Sequence, residues 1–121
     1  MFREEGIQMK LRTSQLLLND DGKIIMGSGR MAIFESLQHT GSINQTAREL
    51  NMAYKTVWSK IKSTEKNWGR SVVDTDRKTG TRLTRDGMDL LEKYRQLKQG
   101  CIHADDSIFQ SIFQMRNNET P

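Results

Sequence analysis

The chain is poor in the residues that staple, kink or anchor a protein. Its 121 residues include one cysteine, Cys101, so no internal disulfide can form. The one proline is Pro121, which leaves the rest free to run as helix without an internal break. The longest aliphatic run, Leu16 to Leu18, falls far short of the roughly 20 apolar residues needed to cross a bilayer. No basic start followed by an apolar stretch and a small-residue cleavage site opens the chain. A reducing, cytoplasmic setting with no membrane partner is expected. Two histidines, His39 and His103, leave little material for acid–base chemistry, and no serine, histidine and carboxylate spacing supports a nucleophile. Cys101 and His103 form a lone Cys-x-His without a second pair at a structural zinc spacing. Neither an enzyme nor a metal or other cofactor is therefore expected.

What is present is charge and helical periodicity. Lysine and arginine number 19 against 15 acidic residues, a net +4 that favours polyanionic partners. One domain of this length can bury one modest core without a staple. Residues 1–9 show no consistent period and read as a flexible lead-in. Lys10 to Leu18 then ends in an apolar run and meets Asn19-Asp-Asp-Gly22, a strong turn signal, with Ile24 to Met26 beyond it. This predicts a β-hairpin or a strand followed by a tight turn. Ser28 is placed to cap a first helix carrying Ile33, Phe34 and Leu37 on one face and ending at Gly41.

Ser42 and Gln45 match a capping box for a short second helix through Leu50, after which Asn51 suits a left-handed stop. A third helix is predicted over about 54–68, with Val57, Ile61 and Trp68 near one face and Gly69 as its stop. Val72 and Val73, and Thr81 to Leu83, flank the basic tip Asp76-Arg-Lys-Thr-Gly80 and read as two strands over about 72–83. Thr84 caps the next helix. From Leu90, the positions Leu90, Tyr94, Leu97, Cys101, Ala104, Ile108, Ser111 and Met115 alternate steps of four and three, as in a coiled-coil seam. Gly100 is its weak point, where a kink or break is expected.

The stretch Ser42 to Ile61 has a helix-turn-helix pattern, for which each constrained position has a steric reason. Ala47 is small where helices cross, Leu50 and Val57 fill the wedge, and Asn51 tolerates the turn. An ordinary αα-hairpin shares this series, so the charges must discriminate. From Ala53 to Arg70 there are five basic residues, Lys55, Lys60, Lys62, Lys66 and Arg70, against the single acid Glu65. Arg77, Lys78 and Arg82 follow on the two strands. A solvated helix face mixes signs more evenly, whereas a basic stripe of this kind suits a phosphate-tracking surface.

Gly41-Ser-Ile-Asn-Gln-Thr-Ala47, Tyr54-Lys-Thr-Val-Trp58 and Arg82-Leu-Thr-Arg-Asp-Gly87 resemble the N-terminal domain of ModE-type, molybdate-responsive transcriptional regulators over about residues 10–98. LysR-type regulators share a related helix-turn-helix but begin directly at helix one and open the recognition helix differently, so the resemblance to them is more distant. The ModE-type resemblance implies a winged helix-turn-helix, mainly α with small β (α+β), acting on double-stranded promoter DNA as a homodimer. It points to Tyr54, Lys55, Thr56 and Ser59 as the groove-facing residues, and the helical wheel agrees, since they lie away from Val57 and Ile61. Lys55 suits a guanine edge and Thr56 a thymine methyl. Lys60 and Lys62 suit phosphates, as do Ser42, Asn44 and Gln45 at the start of the second helix, and Arg77, Lys78 and Arg82 on the wing. Trp58 is better explained by packing beside Tyr54 and the core.

The ending departs from that family. After residue 98 the chain has too few residues for an oxyanion-binding domain, so molybdate sensing does not carry over. Residues 99–121 read instead as a C-terminal helical dimerisation extension. Leu90, Tyr94, Leu97, Cys101, Ile108, Phe109, Ile112 and Phe113 are its candidate contacts. The same stripe would serve a winged helix used as a protein-binding adaptor without specific DNA binding. An RNA-binding domain is disfavoured because no ladder of exposed aromatics lies on strands.

Overall fold

A computed structural model describes residues 8–114. Residues 1–7 of the expected lead-in and Met115 of the seam lie outside the described residues. The order is β1 (Leu17–Leu18), β2 (Ile24–Met26), α1 (Ser28–Thr40), α2 (Ile43–Glu49), α3 (Tyr54–Trp68), β3 (Val73–Asp76), β4 (Gly80–Leu83) and α4 (Arg85–Phe109), with a π-helical turn over Gln110–Gln114. The fold is helical with two small antiparallel ribbons, a winged helix of the α+β class.

Local signals build most of these elements. At the first turn, Asn19 Oδ1 accepts from the amides of Asp21 (2.9 Å) and Lys23 (3.0 Å), and Gly22 takes a positive φ. This closes the β1–β2 hairpin, whose register slips between Leu17 and Leu18. Ile25, passed over by that slip, offers its carbonyl to the Thr64 hydroxyl of α3 at 2.7 Å. The hairpin is thus docked on α3, and Asn67 Nδ2 adds a bond to the Ile24 carbonyl at 2.7 Å.

The expected Ser28 cap is corrected by the structure. Gly27 occupies the cap position of α1 in extended conformation with no side-chain bond, and Ser28 is the first helical residue. Leu16 lies against Gly27 so closely that a Cβ there would press on its methyl group. The Ser28 hydroxyl instead accepts from Lys98 Nζ at 2.9 Å, tying the start of α1 to α4. Gly41 ends α1 in the left-handed region, as expected, and its carbonyl accepts from the Thr81 amide at 3.0 Å.

One core fills the space between α1, α3, α4 and the two ribbons. Met26, Ile33, Phe34, Leu37, Val57, Ile61, Val72, Leu91 and Tyr94 are its fully buried members. Each large side chain so buried contributes roughly 1.5–3 kcal/mol. Two residues assigned to an exposed dimer seam belong here instead. Leu90 is buried, and Tyr94 is fully enclosed with its hydroxyl donating to the Gln15 carbonyl at 2.7 Å. The N-terminal segment lies along α4, with Gln15 at Tyr94 and residues 11–13 near Ile102 and Asp106. Leu97, Ile108, Ile112 and Phe113 remain exposed, while Cys101 and Phe109 are half-buried. Nor does Gly100 break the helix, because α4 runs through it without interruption.

Candidate nucleic-acid interface

The helix-turn-helix is α2 and α3. Ser42 Oγ accepts from the Gln45 amide at 3.1 Å and starts α2, the backbone half of the expected capping box. Ala47 is buried at the helix crossing, and Asn51 takes a φ of 55° in the turn. The Met52 amide then returns to the Ala47 carbonyl at 2.9 Å, so the turn has no freedom to open. Val57, Ile61 and Thr64 face inward from α3.

The opposite face of α3 is free. Tyr54 is 50% exposed, and Lys55, Thr56 and Ser59 are exposed with it, as the wheel requires. Lys60 is half-buried, although among the described residues no ion pair draws it inward. Lys62 donates to Glu65 Oε1 at 3.0 Å and lies 4.6 Å over the Trp58 ring. Arg70 similarly meets Asp86 at 3.6 Å and stacks over Trp68 at 5.0 Å. Internal partners thus already claim part of the basic surplus seen in the sequence. Trp58 is half-buried against the core, in accord with its packing role.

The wing is the β3–β4 ribbon, in register from Val73 opposite Leu83 to Asp76 opposite Gly80. At its tip, Asp76 Oδ1 accepts from the Lys78 amide at 2.7 Å, which curls the backbone and leaves Arg77 and Lys78 exposed. Arg82 is also exposed, opposite Asp74. Asn44 and Gln45 are exposed on the first turn of α2. An open cleft of about 450 Å³ lies among these elements, lined by Ser42 and Asn44 of α2, Tyr54 and Trp58 of α3, and Thr75 and Gly80 of the wing. The first turns of α2 and α3 and the wing therefore open on one side of the molecule.

Several residues that hold this arrangement carry no sequence signal. The Arg30 guanidinium donates to the Ile24 carbonyl (3.1 Å) and to Thr64 Oγ1 (3.0 Å), and its burial lowers its pKa. Ser36 Oγ donates to Glu49 Oε1 (2.8 Å) and meets Thr46 Oγ1 at 3.0 Å, linking α1 to α2. Glu65 Oε2 accepts from the amides of Val72 (2.8 Å) and Val73 (3.3 Å) and from Ser71 Oγ (3.3 Å). Burial pushes that carboxyl up, but the Val72 amide, the Lys62 ammonium and the Val73 amide outweigh it, so its pKa lies below the ordinary value.

His39 bridges α1 and α2 beside this surface. Its Nε2 meets Glu49 Oε2 at 2.9 Å and its Nδ1 meets the Glu35 carbonyl at 3.1 Å. Both partners can only accept, so the ring satisfies them together only as the imidazolium. The hydrogen bond to Glu49, above all, raises the His39 pKa, and the reciprocal bond lowers that of Glu49. A raised folded pKa means that the pair stabilises the fold below the ordinary value of 6.5 and loses this contribution as pH rises through the folded value. A proton-NMR titration should therefore place the His39 midpoint above 6.5, and Glu49→Gln should bring it back down. A wild-type midpoint at or below the ordinary value would show that the pair does not form.

These features define a winged helix-turn-helix, and the family and structures that it matches are DNA-binding regulator domains, not enzymes. Residues 29–88, from α1 to the start of α4, match the model of the family of bacterial regulatory helix-turn-helix proteins of lysR type. The structure is similar to that of the CbnR DNA-binding domain in complex with DNA, with a TM-score of 0.60 and 17% identity over 72% of this chain and 99% of that one. It is also similar to CbnR itself, described as a LysR family transcriptional regulator, with a TM-score of 0.58 and 18% identity over 70% of this chain and 29% of that one. Full-length CbnR complexed with its target DNA gives a TM-score of 0.59 at the same identity and coverage. The match thus spans less than a third of the full-length regulator. At these identities the likeness concerns the fold. Comparison with curated proteins gives no match.

These findings favour the LysR type and give no support to the ModE type suggested by the preceding hairpin and by the Ala53-Tyr-Lys-Thr opening of the third helix; β1 and β2 lie outside the matched residues 29–88. Among the described residues, no helix is long and apolar enough to cross a membrane, and no three metal-binding side chains cluster.

Proposed function

We propose that this protein is a transcriptional regulator that reads double-stranded DNA sequence-specifically, as a homodimer, with α3 in the major groove and the wing on the backbone or minor groove. The observation that carries the reading is the two-sidedness of α3. Val57, Ile61 and Thr64 fix one face in the core, Tyr54, Lys55, Thr56 and Ser59 are exposed, and Tyr54 lines a cleft shared with the first turn of α2 and the wing. A helix held this way can enter a groove as a rigid body while the flanking elements meet phosphates. Asn44 and Gln45 suit the strand crossed by α2, Lys60 and Lys62 the phosphates beside the groove, and Ser42 acts first as a cap. Selection of bound duplexes from a random pool tests the whole reading, and enrichment of a two-fold symmetric site is the expected result. An adaptor that binds only proteins would enrich nothing.

Two substitutions separate reading from positioning. Lys55→Ala is expected to relax preference at one or two base pairs, because a good base-edge contact discriminates by about 1–3 kcal/mol. Uniform weakening across all duplexes would make Lys55 a phosphate contact. Arg77→Ala with Lys78→Ala is expected to weaken all duplexes alike and lower the salt slope by roughly 2, at about 0.9 per neutralised phosphate. An unchanged slope would place the wing tip off the DNA.

A further inference from the structure

We propose that Glu65 is a positioning residue for DNA binding, whose carboxylate holds the base of the wing against the recognition helix so that the wing tip and the exposed face of α3 address one duplex. The proposal rests on the reading of α3 and the wing as the DNA-contacting elements.

The geometry is that of a latch. Glu65 lies in the last turn of α3 with its side chain only 15% exposed. Its Oε2 accepts from two successive amides, Val72 at 2.8 Å and Val73 at 3.3 Å, while Oε1 accepts from Lys62 at 3.0 Å. Charge-assisted bonds of this kind are about twice as strong as neutral ones. The segment it grips is held on its far side by the cap of α4. The Thr84 amide donates to the Val72 carbonyl at 2.9 Å, and the Thr84 hydroxyl donates to the Ser71 carbonyl at 2.7 Å. Residues 71–73 therefore lie between a carboxylate of α3 and the first turn of α4, with little room to slide.

The wing has a second anchor, the Thr81 amide on the Gly41 carbonyl, which sits toward its tip. Without Glu65, the amides of Val72 and Val73 lose their acceptor on α3, and the base of the wing, still tied to α4 through Thr84, is no longer bonded to α3 and can tilt against it. Arg77 and Lys78 then reach phosphates less often, although nothing at the tip has changed.

Glu65→Gln is the sharp test, because glutamine keeps the length but has one carbonyl oxygen and an amide group that must face donors on one side. Amide exchange read by NMR on the free protein comes first. The Val72 and Val73 amides should be protected in the wild-type chain and exchange at least about tenfold faster in the variant, since local opening sets the rate. Unchanged exchange would overturn the latch, whether or not the protein binds DNA. Duplex affinity is then measured in a cycle with Arg77→Ala and Lys78→Ala. In the wild-type wing Glu65→Gln should weaken binding about tenfold, and in the neutralised wing less than about twofold, because residues acting through one another are not additive. Equal losses in both backgrounds would mean general loss of structure and would sink the positioning role. Should Glu65→Gln fail to fold, Glu65→Asp, one methylene short of the amides, replaces it in both measurements. Failure of the wild-type chain to bind any duplex would count against the proposed function, and the exchange result would still decide the latch.

Discussion

A Gly87→Ala chain is expected to unfold at markedly lower urea concentration than the wild type, by about 1–3 kcal/mol or more, the range for forcing atoms into a packed site. Gly87 is in the first turn of α4, directly beneath Val72, and a Cβ there would run into the Val72 carbonyl and Cα. Those are backbone atoms of the segment that Thr84 and Glu65 hold, so the clash cannot be relieved by turning a side chain. The Thr84 cap, which accepts from the Gly87 amide at 3.0 Å, would be displaced as well. Gly100→Ala provides the control with the opposite sign. Nothing lies within 4 Å of a Cβ at that position, and the residue is inside the exposed part of α4. Alanine should stabilise there by up to about 1 kcal/mol through helix propensity. Equal effects of the two changes would show that α4 does not pack against Val72 as described.

Ile108→Asp with Ile112→Asp is expected to turn a dimer into a monomer. Ile108 is 57% and Ile112 62% exposed, and Leu97, Ile102 and Phe113 expose further apolar surface on the same C-terminal part of the chain. Exposed apolar side chains gathered on one segment often mark an interface. A second copy would cover it symmetrically, each large side chain contributing roughly 1.5–3 kcal/mol on full burial. An aspartate placed there would be buried without a partner at strong cost. The double variant should sediment as a monomer and bind a full site weakly, while an isolated half-site is bound about as before. Two-fold pairing explains that split, because it sets two recognition helices about one helical turn of DNA apart or a multiple of it. A wild-type chain that sediments as a monomer at tens of micromolar would remove the dimer from the proposal. Leu90 and Tyr94 have no place in this test, since substituting them would damage the core of the domain itself.

The parts of the fold legible from the sequence are those decided within a few residues. Gly41, Asn51 and Gly69 take positive φ where a helix or turn must stop, and Ser42 and Thr84 cap helices three residues from the amides they bind. Steric limits on φ and the reach of a short side chain settle such features locally. The outward face of α3 was legible for a related reason, since a helix that buries Val57 and Ile61 must expose Lys55 and Ser59. By contrast, Ser28 promised a cap by composition, but Gly27, against which Leu16 packs, takes the cap position and the Ser28 hydroxyl accepts from Lys98. Lys62 counted as free charge in the sequence and is paired with Glu65 in the fold.

Sequence period and local propensity were enough for three helices, the turn between the second and third, and the wing with its basic tip. They were not enough to say which residues of the seam from Leu90 meet water, because a repeat of four and three marks a face of the helix without naming what covers it. Contact between the N-terminal segment and α4 decided that question, burying Tyr94 under Gln15 across 79 positions of chain. Nor could they assign Glu65, a lone acid among cations, to the amides of Val72 and Val73. Backbone donors look alike in every sequence, and only the close approach of strand to helix shows which of them a carboxylate will hold.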